Sequence, residues 1–146
     1  MGVFDSFDVN ASGLTAQRYR MDIISQNIAN AETTRTEDGT PYVRKVVTFA
    51  EKGNGTFSDA LSAAKSSYSG GGVKVSSVTD DTWTDMNVVY EPSNPDADEN
   101  GYVTYPNVNT VTEMTNLIDA SNSYEANATA FTASKDMATA GLQMGK

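Results

Sequence analysis

The residues of this chain with the clearest capacity for chemistry are the carboxylates of one acidic segment, Asp96-Ala97-Asp98-Glu99-Asn100-Gly101. Their order matches the opening of a calcium-binding EF-hand loop, in which alternate side chains supply oxygen ligands. Such a loop closes with a bidentate Glu at its twelfth position, where this sequence has Asn107. The flanking residues predict strands rather than helices. We therefore interpret the segment as an acidic loop ending in an Asn-Gly turn and assign it no metal.

Two adjacent carboxylates, Asp80 and Asp81, could in principle carry out acid–base chemistry. They lie in a connection rich in Ser and Thr with nothing to desolvate them, so we interpret both as surface charges. The chain contains no Cys and no His, which excludes thiol nucleophiles, disulfides, zinc sites and His-based acid–base mechanisms. We therefore expect no enzymatic activity and no cofactor.

The charges are unevenly distributed, with a formal net charge of −9. No Lys or Arg occurs between Lys74 and Lys135, whereas ten acidic residues lie from Asp80 to Glu125. From Arg18 to Lys74 the chain carries eight basic and six acidic residues. This balance argues against nucleic-acid binding, which needs a basic surface. It fits either a solvated acidic face or two complementary surfaces that meet on neighbouring subunits.

Helical periodicity marks both ends of the chain. The N-terminal stripe predicts a helix from about Phe4 to Ala31 and consists of Phe7, Ala11, Leu14, Met21, Ile24 and Ile28. The C-terminal stripe consists of Met114, Leu117, Ser121, Tyr124, Ala128, Phe131, Lys135, Ala138 and Leu142. Thr110-Val111-Thr112-Glu113 has the form of a capping box and predicts the start of this helix of roughly 34 residues, about 50 Å long. Both seams are weak, so the two helices together would bury only a narrow strip.

Between the helices the apolar pattern alternates, which is typical of strands. The predicted strands are Tyr42–Phe49, Val73–Val78, Met86–Tyr90 and Gly101–Tyr105. The predicted fold is α+β: long N- and C-terminal helices pair as a discontinuous, coiled-coil-like unit, with a small antiparallel β module between them. Residues 1–31 and 107–146 would form the helical domain. Residues 32–106 would form the β module, with a flexible loop at 52–72 and a helical turn at Phe57–Ala64.

Neutral amides and alanines occupy helix positions that commonly carry charges on a solvent-facing surface. In Ser25–Thr34, which reads SQNIANAETT, Ile28 faces inward, Asn27 lies on one flank and Asn30 lies almost opposite. The second helix repeats this composition with Asn116, Asn122 and Asn127 among alanines. Small side chains allow close approach of backbones, and amides can be buried at a lower desolvation cost than charges. The pattern predicts helices that pack on several sides against copies of themselves.

Several motifs resemble a known family. Leu14–Arg18 (LTAQR) and Asn27–Ala31 (NIANA) are similar to the N-terminal signature of bacterial flagellar rod and hook proteins. Further motifs resemble the proximal rod proteins of the C type: Thr33–Thr36 (TTRT), Pro41-Tyr42, Arg44-Lys45, Tyr90–Val103 (YEPSNPDADENGYV), Pro106–Asn109 (PNVN) through Glu113-Met114, and Tyr124–Asn127 (YEAN). The resemblance covers the chain except for the segment from Lys52 to Gly72.

This resemblance implies a structural, non-enzymatic subunit of the basal-body rod, which crosses the periplasm and transmits torque from the membrane ring to the hook. It implies export by the flagellar type III apparatus without a cleaved signal. The N-terminus indeed lacks a basic and then apolar signal pattern, and no segment approaches the about 18 apolar residues of a membrane span. The implied partners are copies of the chain itself, other proximal rod proteins, the rod–ring junction protein and the distal rod protein.

The residues and the resemblance together predict an assembly interface on the terminal helices. Its expected members are Leu14, Arg18, Met21, Ile24, Asn27, Ile28, Asn30, Leu117, Tyr124, Glu125, Asn127 and Phe131. The alternative is a self-contained secreted binding module, in which the two helices close on each other and the acidic segment Asp96–Gly101 binds calcium or another ligand.

Overall fold

The computed structural model describes residues 3–52, 61 and 71–145. The described elements are, in chain order, α1 (Val3–Ala29), β1 (Lys45–Glu51), β2 (Val73–Asp80), β3 (Asn87–Tyr90), β4 (Tyr102–Tyr105) and α2 (Thr110–Met144). The predicted α+β class is confirmed, and each predicted helix and strand is present with its ends shifted by a few residues. The predicted loop from Lys52 to Gly72, with its helical turn at Phe57–Ala64, lies almost wholly outside the described residues.

The end of α1 is followed by a tight reversal of the chain. The Asn30 side chain donates to the Gln26 carbonyl at 2.9 Å, and this local bond competes with continuation of the helix. Gly39 adopts a φ of 77°, a conformation that side chains with a Cβ rarely adopt. The Gly39 N–H and the Thr36 carbonyl close this turn at 2.9 Å. The chain thus leaves α1 and enters the strand region within a short connection.

The start of α2 differs from the predicted capping box. The side-chain oxygen of Asn109 accepts hydrogen bonds from the N–H groups of Val111 and Thr112, at 3.0 and 3.1 Å. Asn109 is therefore the N-cap, and the prediction that Thr110 and Glu113 form the capping pair is wrong. The physical reason is that the Glu113 carboxylate is buried and hydrogen-bonded to other segments of the chain.

The strands form two two-stranded sheets, β1–β2 and β3–β4. In the antiparallel second sheet Tyr90 pairs with Tyr102, and their rings pack edge to face with centroids 5.2 Å apart. The turn between them is closed by Asp98, whose carboxylate accepts from the N–H groups of Asn100 and Tyr102 at 2.9 and 2.8 Å. Gly101 supplies the φ of 82° that this turn requires.

The chain divides into two compact units. The first comprises the described residues of Met1–Tyr19, Thr48–Ser77 and Ala120–Lys146, and the second comprises Arg20–Val47 and Val78–Asp119. The buried apolar residues of the first unit are Ala16 and Ala120. Those of the second are Ile23, Ile24 and Val103. The described residues of each unit thus bury few apolar side chains. The assignment of domains to 1–31 with 107–146 and to 32–106 stays a prediction.

The buried face of α2 lies one residue away from much of the predicted stripe. Leu117, Phe131 and Ala138 are half-buried as expected. Met114, Tyr124, Lys135 and Leu142, however, are exposed. The residues that precede Met114 and Lys135, Glu113 and Ser134, are buried instead. Small and hydrogen-bonding side chains occupy the most buried positions of this helix, which are Glu113, Ala120 and Ser134. The predicted inward positions at Met114, Tyr124, Lys135 and Leu142 are therefore wrong.

Candidate functional site

In the first unit, α1 and α2 contact each other through small and aromatic side chains. The rings of Phe7 and Phe131 pack edge to face with centroids 5.2 Å apart. Gly13 lies against Asn127, and a Cβ at Gly13 would be only 2.8 Å from the Asn127 Oδ1. The absence of a side chain at Gly13 thus allows a close helix contact. This places two predicted interface residues, Asn127 and Phe131, against the N-terminal helix of their own chain.

The start of β2 is attached to the same helix by one hydroxyl group. Ser12 Oγ donates to the Val9 carbonyl at 2.7 Å and accepts from the Val73 N–H at 3.0 Å. The adjacent Gly72 has a φ of 94° and leaves no room for a Cβ beside Ser12. This combination fixes the position at which the strand begins.

The second unit contains a buried polar cluster centred on Asn27, which is 1% exposed. Its Nδ2 donates to the Lys45 carbonyl at 2.9 Å and to Glu113 Oε2 at 3.0 Å. Its Oδ1 accepts from the Lys45 N–H and from the Tyr42 hydroxyl, both at 2.9 Å. The amide therefore uses its full usual capacity of two donors and two acceptors within its own chain. The segment from Tyr42 to Lys45 therefore covers Asn27 within its own chain.

Glu113, also 1% exposed, is the acidic centre of this cluster. Its Oε1 accepts from Arg44 Nε at 3.0 Å, from Arg44 Nη2 at 2.8 Å and from Asn116 Nδ2 at 3.1 Å. Its Oε2 accepts from Asn27. A buried carboxylate is tolerated only with such partners. The first turn of α2, the end of α1 and the start of β1 are consequently joined at one point.

Asp81 is the second carboxylate of the cluster and is buried, so its interpretation as a surface charge is wrong. Arg44 Nη1 lies 3.1 Å from its Oδ2. Burial alone would raise the pKa of Asp81, but hydrogen bonds from the Thr84 side chain, from Arg44 and from the backbone N–H groups of Thr84 and Trp83 together lower it. Asp81 therefore remains ionised because its own chain solvates it. Asp80, its neighbour, is exposed as predicted.

The pKa values of two further members of the cluster, Arg44 and Tyr42, are also shifted. Burial alone would lower the pKa of Arg44, but the hydrogen bonds and charges of Glu113 and then Asp81 raise it. Burial, followed by the charges of Asp80 and Glu113, raises the pKa of Tyr42. Arg44 thus stays cationic and Tyr42 stays neutral across the physiological range. The arrangement is suited to holding chain segments together rather than to exchanging protons near neutral pH.

Asn107 completes the cluster through main-chain contacts. Its Oδ1 accepts from the Arg44 N–H at 2.8 Å. Its Nδ2 donates to the carbonyls of Asp81 and Thr84 at 2.7 and 3.1 Å. One buried amide therefore fixes the connection between β2 and β3 relative to the segment before β1.

The acidic segment Asp96–Gly101 uses its carboxylates for local contacts. Asp96 accepts from the Thr34 hydroxyl at 2.7 Å and lies 3.7 Å from the Arg35 guanidinium, while Asp98 closes the turn before β4. Across residues 3–52, 61 and 71–145, no group of three or more His, Cys, Asp or Glu side chains is placed to hold a metal ion. These contacts do not support the alternative of a calcium-binding module.

The predicted interface residues differ in how much surface they offer to a partner. Ile24 and Asn27 are buried within the chain, whereas Arg18, Tyr124 and Glu125 are exposed. The half-buried members are Leu14, Met21, Ile28, Asn30, Leu117, Asn127 and Phe131. Their role in assembly stays a prediction.

A second, exposed apolar stripe lies on the N-terminal part of α2. Val111, Met114 and Ile118 are 75%, 52% and 61% exposed. Their spacing places them on one face of the helix, away from the face that buries Glu113. Neither described helix, however, is long and apolar enough to cross a lipid bilayer.

The grouping of Arg44, Asp81, Asn107 and Glu113 in one cluster was not predicted from the sequence. Arg44, Asn107 and Glu113 lie in motifs that carry the family resemblance, which was the one available signal. Their pairing joins positions up to 69 residues apart and has no local pattern.

Comparison with known proteins gives a consistent result along the chain. The family described as "Flagella basal body rod protein" matches residues 7–35, and that described as "Flagellar basal body rod FlgEFG protein C-terminal" matches residues 99–144. A flagellar basal-body rod protein FlgC of Bacillus subtilis is 46% identical over 100% of both chains. The protein of that name in Borreliella burgdorferi is 43% identical over 94% of this chain and 93% of its own. That of Salmonella typhimurium is 39% identical over 100% of both.

Proposed function

We propose that this chain, which belongs to the FlgC family of flagellar basal-body rod proteins, is a structural subunit of the rod. In this role it assembles helically with copies of itself and with other rod proteins. Its task is mechanical: it forms part of the shaft that transmits torque from the membrane ring to the hook. No enzymatic step belongs to this role.

The observation that carries the proposal is the use of two different faces by the start of α2. One face buries Glu113 in contacts with its own chain. A second face leaves Val111, Met114 and Ile118 exposed. Adjacent exposed apolar side chains on one surface commonly mark an interaction site. A helix that holds its position through the first face and binds a neighbour through the second suits an assembling subunit.

The polar cluster gives this surface a fixed position. Glu113 lies in the first turn of α2 and is held by Arg44 and Asn27. The exposed stripe begins in the same turn at Val111, so it is positioned before a neighbour arrives. Preorganisation of this kind lowers the entropic cost of association. In the assembled rod, long helices packed on several sides would then resist shear.

The predicted interface contributes through its accessible members. Arg18, Tyr124 and Glu125 are exposed and are proposed to contact neighbouring subunits directly. Asn27 and Ile24, which are buried, are proposed to support the interface from within the subunit. In this proposal the terminal helices, residues 1–31 and 107–146, line the inner tube of the rod, and residues 32–106 fix the register with outer neighbours.

The location and partners follow from the same proposal. The subunit would be exported by the flagellar type III apparatus without cleavage of a signal peptide and would enter the rod where it crosses the periplasm. Its neighbours there would be other proximal rod proteins, the rod–ring junction protein and the distal rod protein.

An incorporation assay tests the proposal. The source bacterium, deleted for its own copy of the gene, would express the wild-type chain, Ile118→Asp or the conservative control Ile118→Val. We expect wild type and Ile118→Val to appear in isolated basal bodies and to restore swimming, whereas Ile118→Asp does neither. Because Ile118 is exposed, the free Ile118→Asp subunit should unfold in urea like wild type. Normal incorporation of Ile118→Asp would contradict the proposal.

A further inference from the structure

The exposed aromatic residue Trp83 is not explained by the contacts described so far. It is the only Trp of the chain, and it is 93% exposed. No other large hydrophobic side chain in the described parts of the chain is exposed to this extent. Tryptophan at such a position leaves a large apolar area in water, and Trp is enriched among the residues that dominate protein–protein binding energy.

Hydrogen bonds with Asp81 and Asn107 hold the backbone of the turn that carries Trp83. Asp81 Oδ1 accepts from the backbone N–H groups of Trp83 and Thr84, both at 3.2 Å, and Asp81 Oδ2 accepts from the Thr84 hydroxyl at 2.9 Å. Asn107 donates to the carbonyls on both sides of Trp83, those of Asp81 and Thr84. The backbone is thus fixed while the indole ring projects into solvent, so little backbone entropy remains to be lost on binding.

The surroundings of the turn indicate the charge of its partner. Asp80 and Asp85 lie on either side of Trp83 and are exposed, in a segment that has no Lys or Arg from residue 75 to residue 134. A partner surface of opposite charge would be favoured. The same chain carries exposed cations, which include Lys74, Lys135 and two arginines, Arg18 and Arg35. A guanidinium is better suited than an ammonium to stack on an indole ring. Of the two exposed arginines Arg18 is the candidate, since the ion pairs found among the described residues involve Arg35 and Arg44 instead.

We propose that Trp83 is an anchor residue that binds a second copy of this chain, with its indole ring against the exposed Arg18 guanidinium and Asp85 beside the same charge. This inference rests on the proposed function and specifies one contact of self-assembly. A guanidinium can lie over an indole face while keeping its other N–H groups for a carboxylate. The contact propagates from subunit to subunit when Trp83 and Arg18 of one subunit bind two different copies. Contacts of this kind generate helical assemblies when they do not close into a ring.

The single Trp makes the test direct. The full chain is followed from dilute solution to the highest soluble concentration by sedimentation, while fluorescence reports the emission maximum of Trp83 and its quenching by acrylamide. We expect association to shift the emission to shorter wavelength and to reduce quenching. Trp83→Ala, made at an exposed position, should fold normally by circular dichroism and should raise the dissociation constant by about tenfold or more.

A charge exchange identifies the partner surface. Arg18→Glu and Asp85→Arg should each weaken association by about tenfold, and the double variant should recover most of the loss. Absence of association at every concentration would overturn the inference, as would association that leaves Trp83 emission and quenching unchanged. Failure of the double variant to recover binding would remove Arg18 as the contact and overturn it as stated. None of these outcomes changes the incorporation assay with Ile118→Asp, which tests the proposed function separately.

Discussion

The Arg44 guanidinium donates two hydrogen bonds to one carboxylate oxygen of Glu113, at 3.0 Å from Nε and 2.8 Å from Nη2. The two residues are 69 positions apart: Arg44 precedes β1 and Glu113 lies in the first turn of α2. Because Asn27 at the end of α1 bonds to the other oxygen of Glu113, one buried carboxylate connects three separate segments. The exposed apolar stripe Val111, Met114 and Ile118 begins in the same turn of α2 as Glu113.

Neutralising Glu113 should destabilise the subunit. Glu113→Gln keeps the shape but places an N–H₂ group among donors from Arg44, Asn27 and Asn116, and it removes the charge that Arg44 faces. We expect the free energy of unfolding, measured by urea titration, to fall by about 2–4 kcal/mol. The matched control is Glu125→Gln on the exposed surface of the same helix, which should change it by less than about 0.5 kcal/mol. Equal effects of the two variants would contradict the central role of Glu113.

Replacing Asn27 with Asp tests the direction of its hydrogen bonds. Nδ2 donates to the Lys45 carbonyl and to Glu113, so a carboxylate oxygen at that place would face two acceptors. We expect Asn27→Asp to lower the free energy of unfolding by about 3 kcal/mol at pH 7 and by less at pH 5, where a protonated carboxyl can donate again. The control Asn122→Asp, at an exposed position, should have little effect at either pH. A loss for Asn27→Asp that grows on acidification would contradict this account.

The lowered pKa of Asp81 predicts a contribution to stability that is lost in acid. Although burial alone would raise this pKa, hydrogen bonds from Thr84, Arg44 and the adjacent backbone lower it in the folded chain. The ionised form therefore stabilises the fold above the unfolded pKa of about 3.9, and the contribution disappears as the pH falls through the lower folded value. We expect the difference in unfolding free energy between wild type and Asp81→Asn to be full at pH 6.

Titration below pH 4 completes this test. The same difference between wild type and Asp81→Asn should shrink toward zero as the pH falls from about 4 to about 2. The exposed neighbour supplies the control, since Asp80→Asn should show a smaller difference throughout. A difference between wild type and Asp81→Asn that stays constant over this range would show that the carboxylate charge is not what stabilises the cluster.

The close contact of Gly13 with Asn127 predicts coupling between the two positions. Ala is favoured over Gly in a helix by about 1 kcal/mol, but a Cβ at Gly13 would displace the Asn127 side chain, which bonds to the Ser123 carbonyl at 2.9 Å. Gly13→Ala alone should therefore be neutral or destabilising by unfolding free energy. In the Asn127→Ala background the same change should stabilise by about 1 kcal/mol. Additive effects would mean that the helices do not meet at these residues.

The helices and strands could be predicted because their periodicity is local. The stripe from Phe7 to Ile28 and the alternation around Val88 depend only on neighbouring residues, and both elements are present. The turn at Asn100-Gly101 was also predicted from two adjacent residues, and Gly101 has the positive φ that this turn needs. The role as a rod protein was predicted from the motifs that resemble flagellar rod proteins, and no structural information was needed for it.

The face of α2 that is buried within the chain could not be predicted from hydrophobicity. Periodicity assigns Met114 to the inside because it is apolar, but Glu113 is buried there through bonds to Arg44 and Asn27. Met114 itself is exposed, so a rule that places every apolar side chain in the core of its own chain fails at this position. Asp81 was predicted to be a surface charge but is buried. Its hydrogen-bond donors are Arg44, which is distant in sequence, and the backbone and side chain of the adjacent turn, and such partners leave no pattern in the sequence.

The most direct test of the account is the accessibility of Ile118 before and after assembly. The chain has no Cys, so Ile118→Cys introduces a single thiol, whose reaction with a maleimide reports exposure of that site. In the free subunit the thiol should react rapidly, because Ile118 is exposed. In isolated basal bodies containing the variant it should be protected at least tenfold and become reactive again in denaturant. A thiol that reacts equally fast in free subunit and intact basal body would contradict the claim that this face of α2 binds a neighbouring rod subunit.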